Sequence, residues 1–570
     1  MTSMGFPQER MSLKVLIWSG SLATLLITPF LSLDPINLPK MLVVVTGASL
    51  LLTYLAINFK ELLKIQSALF ATSLIFVILL TTAILTNPAP WADQFWGTWG
   101  RSTGYLTYFA FIVFMLSGAL LTSKNETRIL QQVFEKVSYF ISAYALLQAL
   151  DLDPVAWSQK AMVATLGNIN FMSSFLGLAS ISFISRLIAE TISITAKTHY
   201  SVLLALNLSL IWISGSIQGL AIFAAGATTI VAMVLRKKTD FKKVIFWLLF
   251  TIPQGALVFL GTAGIGPLSS LRQETVIFRR DYWLAGIKMT KENWLNGVGI
   301  DAYGDYYQQY RDLAAVLRTG PQRVTNTAHN IFLDISTGLG LLAGLSFLFI
   351  FALTFKVIFS MLKTGNFTST DVAIAGIFIG FVIFCLISIN QIGVGIWGFI
   401  FMGCLQGWNG RQKNGHSNRK LDQERSISKK FVPKPALIVI PKMSTAIFGV
   451  LGLTLSLMPN ITDVQMLSAV KSKKYDVMLE VVSKSSATQA HKDRYLNSML
   501  EEGRETEAYE FALTVLQSNP RSDLALRVIG SHEGAPKNLR ITSLEQLIKQ
   551  DPNNLELSQN IRGLINSLGE

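Results

Sequence analysis

Apolar runs of roughly 18 to 22 residues recur from the N-terminus to about residue 458, and each is long enough to cross a hydrocarbon core of about 30 Å. Only 15% of the residues are charged, whereas ordinary soluble domains carry about a quarter. Beyond residue 460 the sequence becomes polar. The pattern predicts an all-α polytopic membrane protein that ends in a soluble helical region.

Hydropathy predicts about thirteen membrane spans. They lie near residues 14–33, 39–59, 66–86, 104–123, 132–151, 170–190, 200–215, 217–235, 243–262, 329–355, 371–389, 391–409 and 436–458. The first run is long for a signal peptide and is followed by no clear cleavage site, so we interpret it as a span. Short basic loops then fall on one side, which predicts a cytoplasmic N-terminus and an extracytoplasmic C-terminus.

These spans divide the chain into four regions. We expect an N-terminal transmembrane bundle at 1–262, a large external loop at 263–328, further transmembrane helices at 329–458, and an extracytoplasmic tail at 460–570. In the tail, "LQSNPRS" and "IKQDPNN" resemble the ends of tetratricopeptide (TPR) units, in which a proline closes a helix pair. An irregular helical tail fits the same sequence. A helical tail of either kind can recruit a protein partner.

The net charge of +14 does not indicate nucleic-acid binding, because much of it lies in short loops that anchor the chain to membrane lipids. The loop at 263–328 differs, since it is long enough to escape the positive-inside rule. It carries eight basic residues that are free to hold an anion: Arg272, Arg279, Arg280, Lys288, Lys291, Arg311, Arg318 and Arg323. Cys385 and Cys404 lie in apolar runs and are interpreted as small buried residues.

His329, in "TNTAHNIFLD" (325–334), stands where the basic loop meets an apolar run. An ionisable residue at the edge of the membrane is costly and is usually functional. Its ordinary pKa of about 6.5 suits a general base near neutral pH. A structural histidine at a helix start is the alternative interpretation. Asn330 either orients a substrate or caps the helix.

Arg279 and Arg280 are adjacent, and Trp283 follows them. Guanidinium groups bind phosphate in a bidentate manner and remain charged, so a pair of them suits a diphosphate. An amphipathic helix lying on the membrane surface would have the same sequence pattern. Both interpretations stay open from the residues alone.

Two further stretches combine polar and aromatic residues. "PAPWADQFWGTWGRSTGY" (88–105) places Trp99 beside Arg101, which fits either an interfacial aromatic belt or a site for sugar stacking and phosphate binding. "TLGNINFMSSFL" (165–176) contains Asn168 and Asn170, which either cap the next span or position a substrate.

Five motifs occur in a fixed order: WGRSTGY, GNINF, SIQG, RRDYW…NGVG…YYQQYR and TAHN…TGLG. The series resembles the O-antigen ligase family, which includes Wzy-type O-antigen polymerases and bacterial O-oligosaccharyltransferases. The resemblance covers roughly residues 85–410 and is strongest over 276–344. It implies a GT-C-like helical membrane fold with about 12–13 transmembrane helices, in the cytoplasmic (inner) membrane.

The resemblance also implies a metal-independent glycosyltransferase that needs no cofactor and uses a glycan on undecaprenyl diphosphate as donor. The family's histidine matches His329, and its loop arginine matches Arg279 or Arg280. Many members carry "SRG" where this chain has "SGSIQGL" (214–220), so Gln218 stands near a missing arginine. Arg101 or Arg311 can then supply the second phosphate contact. The expected substrate-positioning residues are Asn330, Trp99, Asn168, Asn170, Gln218 and Tyr310.

Several alternatives remain open at this point. Ligase, polymerase and protein O-oligosaccharyltransferase share the donor chemistry and differ in whether the acceptor is lipid-, glycan- or protein-linked. A transporter of lipid-linked glycans is an alternative of another class, although internal repeats typical of transporters are not evident. Asp151 and Asp153 have the D-x-D spacing of some metal-dependent glycosyltransferases. Chance produces this spacing easily, and we expect no metal site.

Overall fold

The computed structural model describes residues 7–121, 123–157, 161–189, 191–408, 410, 412 and 436–569. Every regular element in these residues is helical, which confirms the predicted all-α class. The helices before the tail are α1 (Pro7–Leu25), α2 (Asn37–Ile57), α3 (Phe59–Thr86), α4 (Trp91–Trp96), α5 (Tyr105–Ala119), α6 (Lys124–Ala149), α7 (Ile169–Ala189), α8 (Ile194–Ile213), α9 (Ile217–Lys238), α10 (Phe241–Thr262), α11 (Glu274–Glu292), α12 (Tyr303–Tyr310), α13 (Leu313–Thr319), α14 (Ile331–Leu339), α15 (Leu341–Thr364), α16 (Ser369–Ile387), α17 (Ile392–Gln406) and α18 (Ala436–Lys471). A short 3₁₀ helix spans Ser269–Leu271.

Eight helices in the described residues are long and apolar enough to cross a membrane. They are α2, α3, α7, α9, α10, α15, α16 and the Lys442–Lys471 part of α18. Shorter apolar helices are Met11–Leu25 within α1, α5 and α17. Two further predicted spans coincide with α6 and α8, which are not among these helices. The polytopic architecture is therefore confirmed, and the count of about 12–13 spans stays a prediction.

The predicted span at 329–355 is wrong at its start, because the chain breaks at Gly340. This residue has a φ of 89° and separates α14 from α15. The segment before α12 packs into the break, where Leu341 N donates to Trp294 O over 2.7 Å and Val298 N donates to Thr337 O over 2.8 Å. A Cβ atom on Gly340 would lie 2.3 Å from Leu295 O, so only glycine fits. His329 consequently precedes a short helix and does not open a membrane span.

Several interhelical connections meet at one end of the bundle. The side-chain amide of Asn37, after the α1–α2 connection, donates to Gly100 O over 2.7 Å. Asn87, which follows α3, donates to Gly297 O of the long loop over 3.0 Å. Thr165, which precedes α7, donates to Thr24 O over 2.7 Å. Polar residues far apart in sequence are thereby gathered at this end.

The C-terminal tail continues at the same end of the bundle. The helix α18 runs to Lys471, so the predicted boundary near 458–460 falls inside a continuous helix. Its Asp463 carboxylate accepts a hydrogen bond from Asp34 N over 3.1 Å, which ties it to the α1–α2 connection. Six helices follow: α19 (Tyr475–Val482), α20 (Gln489–Glu501), α21 (Glu505–Ser518), α22 (Asp523–Ser531), α23 (Lys537–Gln550) and α24 (Leu555–Gly569). A TPR-like repeat in this region stays a prediction.

Candidate active site

His329 lies in a constrained connection between the long loop and α14. Its φ is 54°, a left-handed conformation that is uncommon for residues other than glycine. The neighbouring backbone is fixed on both sides. Ala328 N donates to the Asp334 carboxylate over 2.7 Å, and the Asn330 side chain caps α14 by accepting from Leu333 N over 3.1 Å. The capping interpretation of Asn330 thus has a direct structural basis.

The His329 imidazole is half-buried and stacks on the Tyr282 ring, with 5.5 Å between the ring centroids. Burial, followed by the charges of Arg279 and Arg101, lowers the pKa of His329 to about 3. The ring is therefore neutral at physiological pH and has one nitrogen lone pair free to accept a proton.

Arg279 is held by a network that begins in α7. The α11 residue Arg279 is buried, and its Nη2 atom donates to the Gln218 Oε1 atom over 3.3 Å. Gln218 Nε2 in turn donates to Ser174 Oγ over 2.8 Å. Burial lowers the pKa of Arg279, because the charged form loses hydration. Gln218, near the position of the missing arginine, therefore orients Arg279 through a neutral amide.

Asn170 extends the same network, and Asn168 supports it. The Asn170 side chain accepts from Ser216 Oγ over 2.8 Å, and its carbonyl accepts from Ser174 Oγ over 2.5 Å. Asn168 accepts from Asn170 N over 2.8 Å, which caps the start of α7. Two stretches singled out in the sequence, "GNINF" and "SIQG", thus meet beneath Arg279.

Arg101 reaches the site from the α3–α5 connection. Its buried guanidinium hydrogen-bonds Asn326, three residues before His329. Burial lowers the pKa of Arg101, and the nearby Asp301 and Asp334 carboxylates oppose this shift. Trp99 is 47% exposed and stands two residues away along the chain. Arg101 therefore brings its charge to the site partly offset by two acids.

Arg280 presents an unsatisfied donor beside Arg279. Its Nε atom is buried and has no hydrogen-bond acceptor in the described residues, and the same is true of Trp283 Nε1. Buried donors without acceptors are rare in folded proteins.

The structure does not bring Arg311 and Tyr310 to this group. The Arg311 side chain is buried, and its Nη2 atom donates to both oxygens of Asp551 over 2.8 and 2.7 Å. Tyr310 donates to the Glu292 carboxylate over 2.9 Å and accepts from Asn293 over 3.3 Å. The Arg311 guanidinium is thus engaged by the tail.

Two carboxylates at the site have no counterpart in the sequence analysis. Asp301 accepts from Thr98 N over 3.2 Å and from Thr103 Oγ1 over 3.1 Å. Asp334 holds the backbone before His329, as described above. Each follows or precedes apolar residues in "GVGIDAYG" and "IFLDIS". A single acidic residue among apolar ones was therefore the sequence signal that could have identified each of these two carboxylates.

Asp153 of the D-x-D sequence is engaged in local hydrogen bonds. Its carboxylate accepts from Tyr144 over 2.9 Å, from Gln148 over 2.7 Å and from Val155 N over 2.9 Å. These bonds tie the α6–α7 connection to α6. Among the residues that the structure describes, no group of three or more His, Cys, Asp or Glu side chains is placed to hold a metal ion.

Residues 202–348 match the family model described as O-antigen ligase. This part of the chain carries an O-antigen ligase domain. The matched segment extends from α8 into α15 and contains His329, Arg279 and Gln218, so the resemblance seen in the sequence is confirmed. Arg101 and Asn170 come from outside this segment and contact Asn326 and Ser216 within it. No curated protein matches the chain.

Proposed function

We propose that this protein is an O-antigen ligase-like membrane glycosyltransferase. It transfers a glycan from an undecaprenyl-diphosphate donor to an acceptor hydroxyl at the outer face of the cytoplasmic membrane. His329 acts as the general base, and Arg279, Arg280 and Arg101 bind the donor diphosphate. The match of residues 202–348 to the O-antigen ligase family model supports this class of reaction, and the geometry around His329 supports the roles of the residues.

The observation that carries the proposal is an imidazole stacked on Tyr282 and close enough to the buried Arg279 and Arg101 to feel their charge. A base must be unprotonated before it can act, and burial, followed by the charges of Arg279 and Arg101, lowers the pKa of His329 and favours that form. A bound diphosphate would offset both positive charges. The pKa of His329 in the complex would then rise, which strengthens the base when the donor is present.

The reaction forms one bond and breaks one bond at the anomeric carbon. The acceptor oxygen attacks this carbon, its proton passes to His329, and the bond from the carbon to the diphosphate oxygen breaks with inversion. The arginines stabilise the negative charge that develops on the leaving diphosphate. The proton then passes from His329 to the released diphosphate or to water, which restores the neutral base.

The charge distribution supports an extracytoplasmic site. At the end of the bundle opposite to His329, Arg236 donates to Leu362 O over 2.6 Å, and Lys237 lies over the Phe367 ring at 5.3 Å. Short basic connections of this kind favour the cytoplasmic side. With that end in the cytoplasm, His329 and the tail face outward.

The test uses full-length protein in proteoliposomes supplied with undecaprenyl-diphosphate glycan. Lipid-linked sugar, free glycan and serine peptide serve as acceptors in separate reactions, with and without EDTA. We expect chelator-insensitive transfer by the wild type and a rate at least 100-fold lower in His329→Ala, since general-base catalysis contributes about 10²–10⁴-fold.

His199→Ala is the matched control, because His199 is exposed on α8, away from His329, and its ring contacts Tyr139 and Tyr200. This variant should retain wild-type transfer. Equal transfer by wild type and His329→Ala would refute the assigned base, and loss of transfer with EDTA would refute the metal-free scheme. Movement of the lipid-linked glycan across the bilayer without transfer would establish a transporter instead.

A further inference from the structure

The tail contacts the loop region of the candidate site through a buried ion pair. Arg311 and Asp551 are each 2% exposed, and both carboxylate oxygens accept from Arg311 Nη2. Asn553 adds a hydrogen bond to Arg311 O over 2.7 Å. Removing one partner of a buried pair leaves an uncompensated charge and is strongly unfavourable. The contact therefore fixes Arg311 firmly.

The other arm of the same guanidinium holds a second segment of the loop. Arg311 Nη1 donates to Pro321 O over 2.9 Å and to Arg323 O over 3.1 Å. One side chain thus joins the tail to residues 321–323, six residues before His329. The next anchors along this segment are the hydrogen bond from Arg101 to Asn326 and the bond from Ala328 N to Asp334.

Arg323 stands at the rim of the candidate site. Its guanidinium lies 4.2 Å from the centroid of the Phe278 ring, and Phe278 directly precedes Arg279. Its positive charge also acts on Tyr282, the ring on which His329 stacks. The side chain is exposed, and in the described residues it forms no ion pair with a carboxylate. Arg318, by contrast, is paired with Asp281.

We propose that Arg323 is a further donor-diphosphate-binding residue, and that the tail carboxylate Asp551 is a positioning residue that holds Arg323 in place through Arg311. This inference rests on the proposed function. Arg323 adds a cation on the solvent side of Arg279 and Arg280, where the anionic head of a membrane-embedded lipid would enter. The tail is therefore a structural part of the donor site as well as a separate helical region.

A second contact supports the same role for the tail. Arg521 donates to Asp305 O over 3.1 and 3.0 Å and lies 3.9 Å from the centroid of the Tyr306 ring. Both contacted residues belong to α12, which ends at Tyr310, directly before Arg311. The tail thus contacts the first half of α12 through Arg521, and it contacts Arg311, the residue after the helix, through Asp551.

The experiment measures donor KM and kcat for full-length wild type, Asp551→Asn, Arg323→Gln and the double variant. Asp523→Asn is the matched control, since Asp523 pairs with Arg527 on the exposed surface of the same tail. We expect donor KM to rise about 10-fold in each single variant, because a lost hydrogen bond to a charged group is worth about this factor or more. Acceptor KM should stay unchanged.

The double variant separates positioning from general destabilisation. If Asp551 acts through Arg323, the double variant should have the donor KM of Arg323→Gln alone. Unchanged donor KM in the folded fraction of Asp551→Asn, or effects that multiply in the double variant, would overturn the inference. His329→Ala is assayed in parallel. Failure of the wild type to transfer refutes the proposed function, whereas wild-type transfer with an unchanged Asp551→Asn KM refutes only the inference.

Discussion

A single change of charge at Gln218 tests how Arg279 is used. Gln218→Glu keeps the size of the side chain and the acceptor that Arg279 contacts at 3.3 Å. It adds a negative charge beside a buried guanidinium. The new carboxylate would pair with Arg279 and compete with the donor diphosphate for it.

The expected loss follows from the Coulomb energy of one charge pair. Two unit charges at about 4 Å interact by about 4 kcal/mol at an effective dielectric constant of about 20. If pairing with the new carboxylate removes about half of the attraction between Arg279 and the diphosphate, the cost is about 2 kcal/mol, or about 30-fold in donor affinity. The effect should appear in donor KM, because the arginine is neutralised before the donor binds.

The assay is initial-rate transfer in proteoliposomes over a range of donor concentrations. Gln465→Glu is the matched control, since Gln465 is exposed on α18 and accepts from Lys484. This control should retain the wild-type donor KM. A donor KM within about threefold of wild type for folded Gln218→Glu would refute the reasoning, since a neutralised Arg279 would then be irrelevant to the donor.

Two further predictions concern pH and stability. His329 has a lowered pKa of about 3 in the free enzyme and acts as a base only above its pKa. Its titration should therefore leave kcat/KM for the donor flat between about pH 8 and about pH 5. On acidification kcat should begin to fall at a higher pH than kcat/KM, because the bound donor offsets the neighbouring arginines and raises the pKa of His329. An inflection in kcat/KM near 6.5 that His329→Gln removes would contradict this. Glu135→Gln breaks the buried ion pair in which Arg186 donates to Glu135 over 2.9 Å. This loss should cost about 3–5 kcal/mol, measured as thermal unfolding in detergent. A loss no larger than that of Asp523→Asn would contradict this prediction.

The amino-acid sequence by itself was enough to predict the helical membrane architecture and the main candidate site residues, His329 and the arginines of the basic loop. Apolar runs long enough to span a bilayer leave little choice of fold, because their length and composition are local properties. The basic loop and His329 were evident for a related reason, since charge beside an apolar run is costly unless it has a use.

Only the tertiary structure decided how these residues are combined. Gln218 meets Arg279 across 61 residues, and Arg101 meets Asn326 across 225 residues, so neither contact leaves a periodic signal. Arg311 has the positive charge that a phosphate-binding residue needs, yet tertiary packing pairs it with Asp551, 240 residues further along the chain. Local hydropathy also could not predict where α15 begins, because the break at Gly340 depends on backbone hydrogen bonds with a segment about 40 residues earlier in the chain. Hydropathy and motif spacing report what each segment favours alone, whereas the partner of a buried polar group is chosen by the packing of the whole chain.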